Sequence, residues 1–143
     1  MSKDESAKMI DCLILGDSIA LGTHQFKTQC YSYVKSGINS SQFNTTYVNK
    51  RKNDFGSEVV IVSLGSNDAY VKTYNELYKL RERIKAQRVY WILPNPDVFP
   101  KQAEDVKLIS VSFGDTVIST KRYSQDKVHP TTDGYKELAE QAK

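Results

Sequence analysis

Apolar residues recur along this chain in two alternating patterns. Short continuous runs rich in Ile, Val and Leu predict buried strands. Stretches with apolar residues three and four apart predict helices. The first run, Met9 to Leu15, ends at Gly16. A helix over Ser18 to about Thr28 follows, with the Asp17-Ser18 pair able to cap it. Tyr31 to Lys35 predicts a second strand, closed by the turn signal Ser36-Gly37. Ser40 to about Lys50 is a candidate helix, weakened by its Asn and Thr content. Glu58 to Leu64 is the clearest strand, β-branched, continuous and stopped by Gly65. Lys72 to Gln87 is the clearest helix: Tyr74, Leu77, Tyr78, Arg81 and Ile84 keep helical spacing, with Arg81 the one polar member. Val89 to Leu93 predicts a fourth strand closed by Pro94, and Pro96 and Pro100 hold the next loop extended. Lys101 to about Val111 predicts a helix and Thr116 to Ile118 a short fifth strand. The last helix runs from Thr131 to the C-terminus, with Thr131 or Thr132 near its cap and Asp133 in its first turn.

Strands alternating with helices argue for α/β architecture: one five-stranded parallel sheet with helices on both faces, a three-layer αβα sandwich. The run Val59 to Leu64 has no polar alternation, so it is expected at the centre of the sheet, buried on both sides. In such sheets ligands bind beyond the carboxyl ends of the strands.

Composition narrows the class. The 143 residues make one domain, 1–143, long enough to bury a core without metal or disulfides. Hydrophobic residues at 39% and charged residues at 26%, with no low-complexity run, exclude collagen, coiled coil and wholesale disorder. A net charge of +3 permits an anionic partner without demanding one. The basic stretches Lys50-Arg51-Lys52 and Lys79 to Arg88 read as a solvated helix end and a solvated helix face. No aromatic-basic interleaving suggests a nucleic-acid partner. Of the two cysteines, Cys12 lies in an apolar run and reads as a buried thiol. With two His and no Cys/His cluster, neither a metal site nor any cofactor is expected. The segment Met1 to Ser6 is charged and lacks an apolar core, so no signal peptide is read. No run approaches a membrane span, and the expectation is a soluble protein made in the cytoplasm. The residues carry no signal of oligomeric state.

Four strand ends carry candidate chemistry. Gly16-Asp17-Ser18 follows the first strand, Ser36-Gly37-Ile38-Asn39 the second and Gly65-Ser66-Asn67-Asp68 the third. Asp126-Lys127-Val128-His129 lies between the fifth strand and the last helix. Together they hold the parts of a hydroxyl-nucleophile site. Each part also has a plainer reading. Ser18 could be only a helix cap, Asn67-Asp68 and Gly37 only turns, and His129 a surface loop residue. His24 reads as a surface residue of the first helix.

These segments resemble the SGNH hydrolases, also called GDSL-type esterases. Gly16-Asp17-Ser18 matches the family's first block, Gly37 its second, Gly65-Ser66-Asn67-Asp68 its Gly-x-Asn-Asp block and Asp126-x-x-His129 its last. The matches fall in the family's order and cover nearly the whole chain. The resemblance implies the flavodoxin-like SGNH hydrolase fold and a serine esterase. Ser18 is then the nucleophile, His129 its base, and Asp126 the carboxylate that orients His129. The Ser18 and Gly37 backbone N–H groups and the Asn67 side-chain amide would face the oxyanion. Asp17, Gly65 and Asp68 are expected in supporting roles.

Position 19 is Ile where the family name implies Leu, a volume-conserving change. The chain is short, and the loop after Asn67-Asp68 runs into its helix within a few residues, leaving little material for a lid. An open, shallow site is therefore expected, suited to a short acyl group, acetyl above all, on a carbohydrate or cell-wall glycan. Other readings are an esterase or thioesterase on small soluble esters, a phage-type cell-wall lysin, and a catalytically silent binding module on the same fold. A nucleotide-binding flavodoxin-like protein is disfavoured, because no glycine-rich phosphate loop is present.

Overall fold

The computed structural model describes residues 11–143. Met9 and Ile10, at the start of the predicted first strand, and the Met1 to Ser6 segment lie outside the described residues. In chain order the elements are β1 (Cys12–Gly16), α1 (Ser18–His24), β2 (Tyr31–Val34), α2 (Ser40–Phe43), a π-helical turn (Asn44–Val48), β3 (Phe55–Gly56), β4 (Val59–Ser63), α3 (Thr73–Arg81), β5 (Ile84–Lys85), β6 (Arg88–Ile92), α4 (Pro100–Phe113), β7 (Thr116–Ile118) and α5 (Thr132–Gln141). Five strands form one parallel sheet in the order β2-β1-β4-β6-β7. β3 and β5 pair separately as a two-residue parallel ribbon.

β1 and β4 are buried along their whole length, as their unbroken apolar runs require. Because side chains alternate across a strand, the two faces build separate cores. One face carries Leu13, Leu15, Val60, Val62, Val89 and Trp91 and meets Phe43, Leu77, Leu80, Val106 and Ile109. The other carries Cys12, Ile14, Val59, Ile61, Ile92 and Ile118 and meets Ile19, Ala20 and Leu138 from α1 and α5. Burying an aliphatic side chain of this size contributes about 1.5–3 kcal/mol. Strand order reverses at β1: the chain goes outward to β2, then returns past β1 to β4. The crevice between the carboxyl ends of β1 and β4 is thus the switch point where such sheets bind ligands.

The structure corrects several sequence expectations. Cys12 is not a free thiol: it forms a disulfide with Cys30, tying the start of β1 to the entrance of β2. The predicted helix Lys72 to Gln87 stops at Arg81, and Ile84 enters β5 beside Phe55. Of its basic residues Lys79 and Lys85 are solvated as expected, but the arginines are partly buried. Arg81 forms a bidentate pair with Asp115 at 2.7 and 3.0 Å, and Asp115 also accepts from Trp91 Nε1. Arg83 donates to Asp54 and to the Arg51 carbonyl. Arg51 lies over the Phe55 ring, while Lys50 and Lys52 are solvated as expected. The candidate helix from Ser40 is α-helical for one turn and then π-helical, with Asn44 buried and its amide donating to Glu76. His24 is half-buried, with its Nε2 2.9 Å from the Cys30 carbonyl oxygen. Among the described residues no helix is long and apolar enough to cross a membrane.

Candidate active site

β1 delivers Ser18 through a turn that only glycine can make. Gly16 has φ +141°, and a Cβ there would fall on the Ser63 carbonyl oxygen of neighbouring β4. Asp17 then caps α1. Its Oδ1 accepts from the Ile19 N–H at 3.0 Å, the Ala20 N–H at 3.4 Å and the Ser63 hydroxyl at 3.0 Å. The capping duty that Ser18 could have held belongs to Asp17, so Ser18 stands as the first helical residue with its hydroxyl uncommitted to the helix. Asp17 is fully buried, and its Oδ2 has no partner among the described residues. Burial raises its pKa to about 6, against the lowering effect of the Ser63, Ala20 and Ile19 hydrogen bonds.

Ser18 Oγ lies 2.8 Å from His129 Nε2, and His129 Nδ1 lies 2.6 Å from Asp126 Oδ2. The three residues come from opposite ends of the sequence and form one continuous line. Asp126 Oδ1 accepts from the Val128 N–H at 2.8 Å and the His129 N–H at 2.9 Å. The Ser124 hydroxyl lies 2.9 Å from both Asp126 Oδ1 and the His129 carbonyl oxygen, and its one proton serves one of them at a time. The His129 hydrogen bond first, then these backbone and hydroxyl donors, holds the Asp126 carboxyl well below the usual carboxylate range. A charged Asp126 fixes the proton on Nδ1 and leaves Nε2 to accept from Ser18.

The three residues expected to supply oxyanion donors come from three segments, following β1, β2 and β4. The Ser18 and Gly37 N–H groups have no hydrogen-bond partner among the described residues. Gly37 has φ +79°, a conformation that favours glycine, and its surroundings are open. Asn67 donates one amide hydrogen to the carbonyl of Ile38, the residue after Gly37, at 3.1 Å, and its second amide hydrogen has no partner among the described residues. Gly65 turns the chain after β4 with φ +124°, and a Cβ there would lie 3.0 Å from the Pro94 ring. Asp68 is buried and joins these segments: it accepts from the Ser40 N–H at 2.9 Å, the Ser40 hydroxyl at 2.5 Å and the Thr73 hydroxyl at 2.9 Å.

Sequence reading missed the partners Ser40, Ser63, Thr73, Asn95 and Ser124. Ser63 alone left a trace, as the polar residue ending an otherwise apolar strand. Asn95 sits between two prolines and is 6% exposed. No group of residues that could hold a metal ion occurs among the described residues.

No family model matches the chain, and no curated protein sequence is similar to it. Solved structures are similar in fold. A GDSL-like lipase from Bacteroides thetaiotaomicron superimposes with TM-score 0.66 at 18% identity, over 97% of this chain and 93% of its own. A member of the lipolytic G-D-S-L family from Veillonella parvula gives TM-score 0.67 at 16% identity, over 94% and 96%. The C-terminal catalytic domain of Streptococcus pneumoniae peptidoglycan O-acetyltransferase A gives 0.64 at 14%, over 92% and 89%. The chain has the SGNH hydrolase fold. Within that fold Ser18, Gly37, Asn67 and His129 stand at the carboxyl side of the sheet, around the switch point between β1 and β4.

Proposed function

We propose that the protein is a serine ester hydrolase that removes short acyl groups, acetyl above all, from a carbohydrate or cell-wall glycan. The observation that carries the chemistry is the unbroken line from Ser18 Oγ through both His129 ring nitrogens to Asp126. In this reading His129 Nε2 takes the Ser18 proton as Oγ attacks the ester carbonyl. Asp126, ionised and held by four donors, steadies the imidazolium that results. The Ser18 and Gly37 N–H groups and the free Asn67 amide hydrogen receive the oxyanion. One such donor contributes on the order of 3–4 kcal/mol to the transition state. His129 returns its proton to the departing alcohol, and water then releases the acyl group by the same steps.

The substrate class rests on openness. The His129 and Asp126 side chains are 42% and 50% exposed, so a bulky alcohol has free approach. Among the described residues, none of the five best-formed cavities is lined by Ser18 or His129. The peptidoglycan O-acetyltransferase among the structural neighbours lends support to an acetyl group carried on a glycan. The disulfide bears on location. Disulfides persist in oxidising compartments and are rare in the cytoplasm, so in this reading the protein acts outside the cytoplasm, where cell-wall glycans are met.

A second reading is acyl transfer, in which a sugar hydroxyl replaces water at the acyl-enzyme; the same openness favours it. Incubation with p-nitrophenyl acetate, p-nitrophenyl octanoate and an O-acetylated glycan tests both. Acetate release from the glycan, with acetyl strongly preferred to octanoyl, is the expected result. Acetyl appearing on an added oligosaccharide supports transfer. Preference for octanoyl would overturn the short-acyl assignment.

A further inference from the structure

We propose that Asn95 is a positioning residue for His129, acting through the backbone of Lys127; the inference rests on the hydrolase reading above. The turn Ser124 to His129 folds around the Asp126 side chain. Oδ1 collects the Val128 and His129 N–H groups while Oδ2 reaches the His129 ring. That arrangement puts Lys127 at φ +62°, the one positive φ at a non-glycine residue among the described residues. The left-handed region is disfavoured for lysine because its Cβ crowds the backbone. Something must hold it there.

Most of the turn's hydrogen bonds are internal. The Ser124 N–H donates to the His129 carbonyl, and the Lys127 N–H to the Ser124 carbonyl. Apart from the Ser18–His129 contact, the one hydrogen bond from this turn to the rest of the described protein is Asn95 Nδ2 to the Lys127 carbonyl, at 2.7 Å. Asn95 suits the task of an anchor. It is buried, its Oδ1 accepts from the Asp97 N–H at 3.0 Å, and its carbonyl accepts from Val98 and Phe99 at 3.1 and 2.8 Å. Pro94 and Pro96 stiffen the backbone on either side. Beside this link lies a cavity of about 490 Å³, lined in part by Asn95, Asp97, Lys121 and Tyr123. The cavity borders the Asn95 side of the link only, so the Asn95 amide is the group outside the turn that holds the Lys127 carbonyl.

The test compares wild type with Asn95→Ala, Asn95→Asp and the double variant Asn95→Ala, Lys127→Gly. Asn95→Asp keeps the acceptor for Asp97 but sets a carboxylate oxygen against the Lys127 carbonyl. Both single variants are expected to lower kcat on p-nitrophenyl acetate at least tenfold with KM within twofold. Glycine tolerates the left-handed conformation, so the double variant should recover at least threefold over Asn95→Ala. The downfield NMR resonance of the His129 Nδ1 proton reports the Asp126 contact without turnover, and should broaden or vanish in Asn95→Ala. An unchanged resonance and unchanged kcat in Asn95→Ala would overturn the inference while wild type remained active. Inactive wild type with the resonance lost in Asn95→Ala would instead defeat the hydrolase reading and leave the link standing. Should Asn95→Ala fail to fold, Asn95→Asp carries the same comparison.

Discussion

At the scale of single residues, the two aspartates of the site have opposite environments. Asp126 is solvent-exposed and surrounded by donors; Asp17 is buried with one oxygen unpartnered among the described residues. In the proposed mechanism Asp126 works only through His129, so removing it should do less harm than removing the groups that move protons and bonds. Asp126→Ala is expected to retain on the order of tenfold more kcat than Ser18→Ala or His129→Ala. Equal losses in all three would mean that Asp126 does more than orient the ring. Asp17 makes a stability prediction. A carboxyl whose folded pKa is raised stabilises the fold fully while protonated, and that contribution is lost as pH rises through the folded value. The window therefore runs from about pH 4, the ordinary Asp value, to about 6. Asn at this position keeps an acceptor for Ile19 and Ser63 but cannot ionise. Urea unfolding at pH 4 and pH 7 should show Asp17→Asn gaining on wild type by roughly 2–3 kcal/mol across that interval. Parallel pH dependences would contradict a buried, titrating Asp17.

At the scale of elements, the site depends on loops held by buried polar pins. Asp68 joins the segment after β2 to the segment after β4 and to the start of α3 through Ser40 and Thr73. Asp68→Ala would strand the Ser40 N–H in a buried position and loosen the segment after β2, which carries Gly37 and Ile38, from the segment after β4, which carries Asn67. A loss of about 3 kcal/mol of stability by urea unfolding is expected, with a lower kcat at unchanged KM. A lower Tm with kcat intact would restrict Asp68 to the fold alone. These pins also show what could be read beforehand. The runs at Cys12–Gly16, Val59–Ser63 and Arg88–Ile92 were legible because buried parallel strands need continuous apolar residues. The blocks around Ser18, Asn67 and His129 were legible because their spacing recurs in a known family. Asn95, Ser40 and Ser124 were not, because a lone polar residue in a loop looks the same whether it meets water or a distant backbone group. The end of α3 at Arg81 was hidden for a related reason. Ile84 satisfies helical spacing, and only its pairing with Phe55 makes it a strand. Arg81 read as surface because Asp115, its partner, is 34 residues away.

At the scale of the whole molecule, the disulfide and the proposed site occupy opposite ends of the sheet. Cys12 opens β1, whereas Ser18 follows its carboxyl end. Linking residues 18 apart constrains the unfolded chain by about 3 kcal/mol in the chain-entropy account. Cys12→Ser with Cys30→Ser should therefore unfold at lower urea concentration and, below that transition, retain wild-type kcat. Loss of kcat in the folded variant would mean that the β1–β2 link shapes the site. The central claim is that this fold carries a working nucleophile at Ser18. Its most direct test is fluorophosphonate labelling mapped to residue by mass spectrometry. One adduct on Ser18 is predicted. Labelling should be strong at pH 8 and be absent from Ser18→Ala and from His129→Ala. Because Asp17 caps α1, Ser18→Ala should keep a Tm close to wild type. Folded wild-type protein that takes no label at pH 8, or that takes it at another residue with Ser18 bare, would contradict the account.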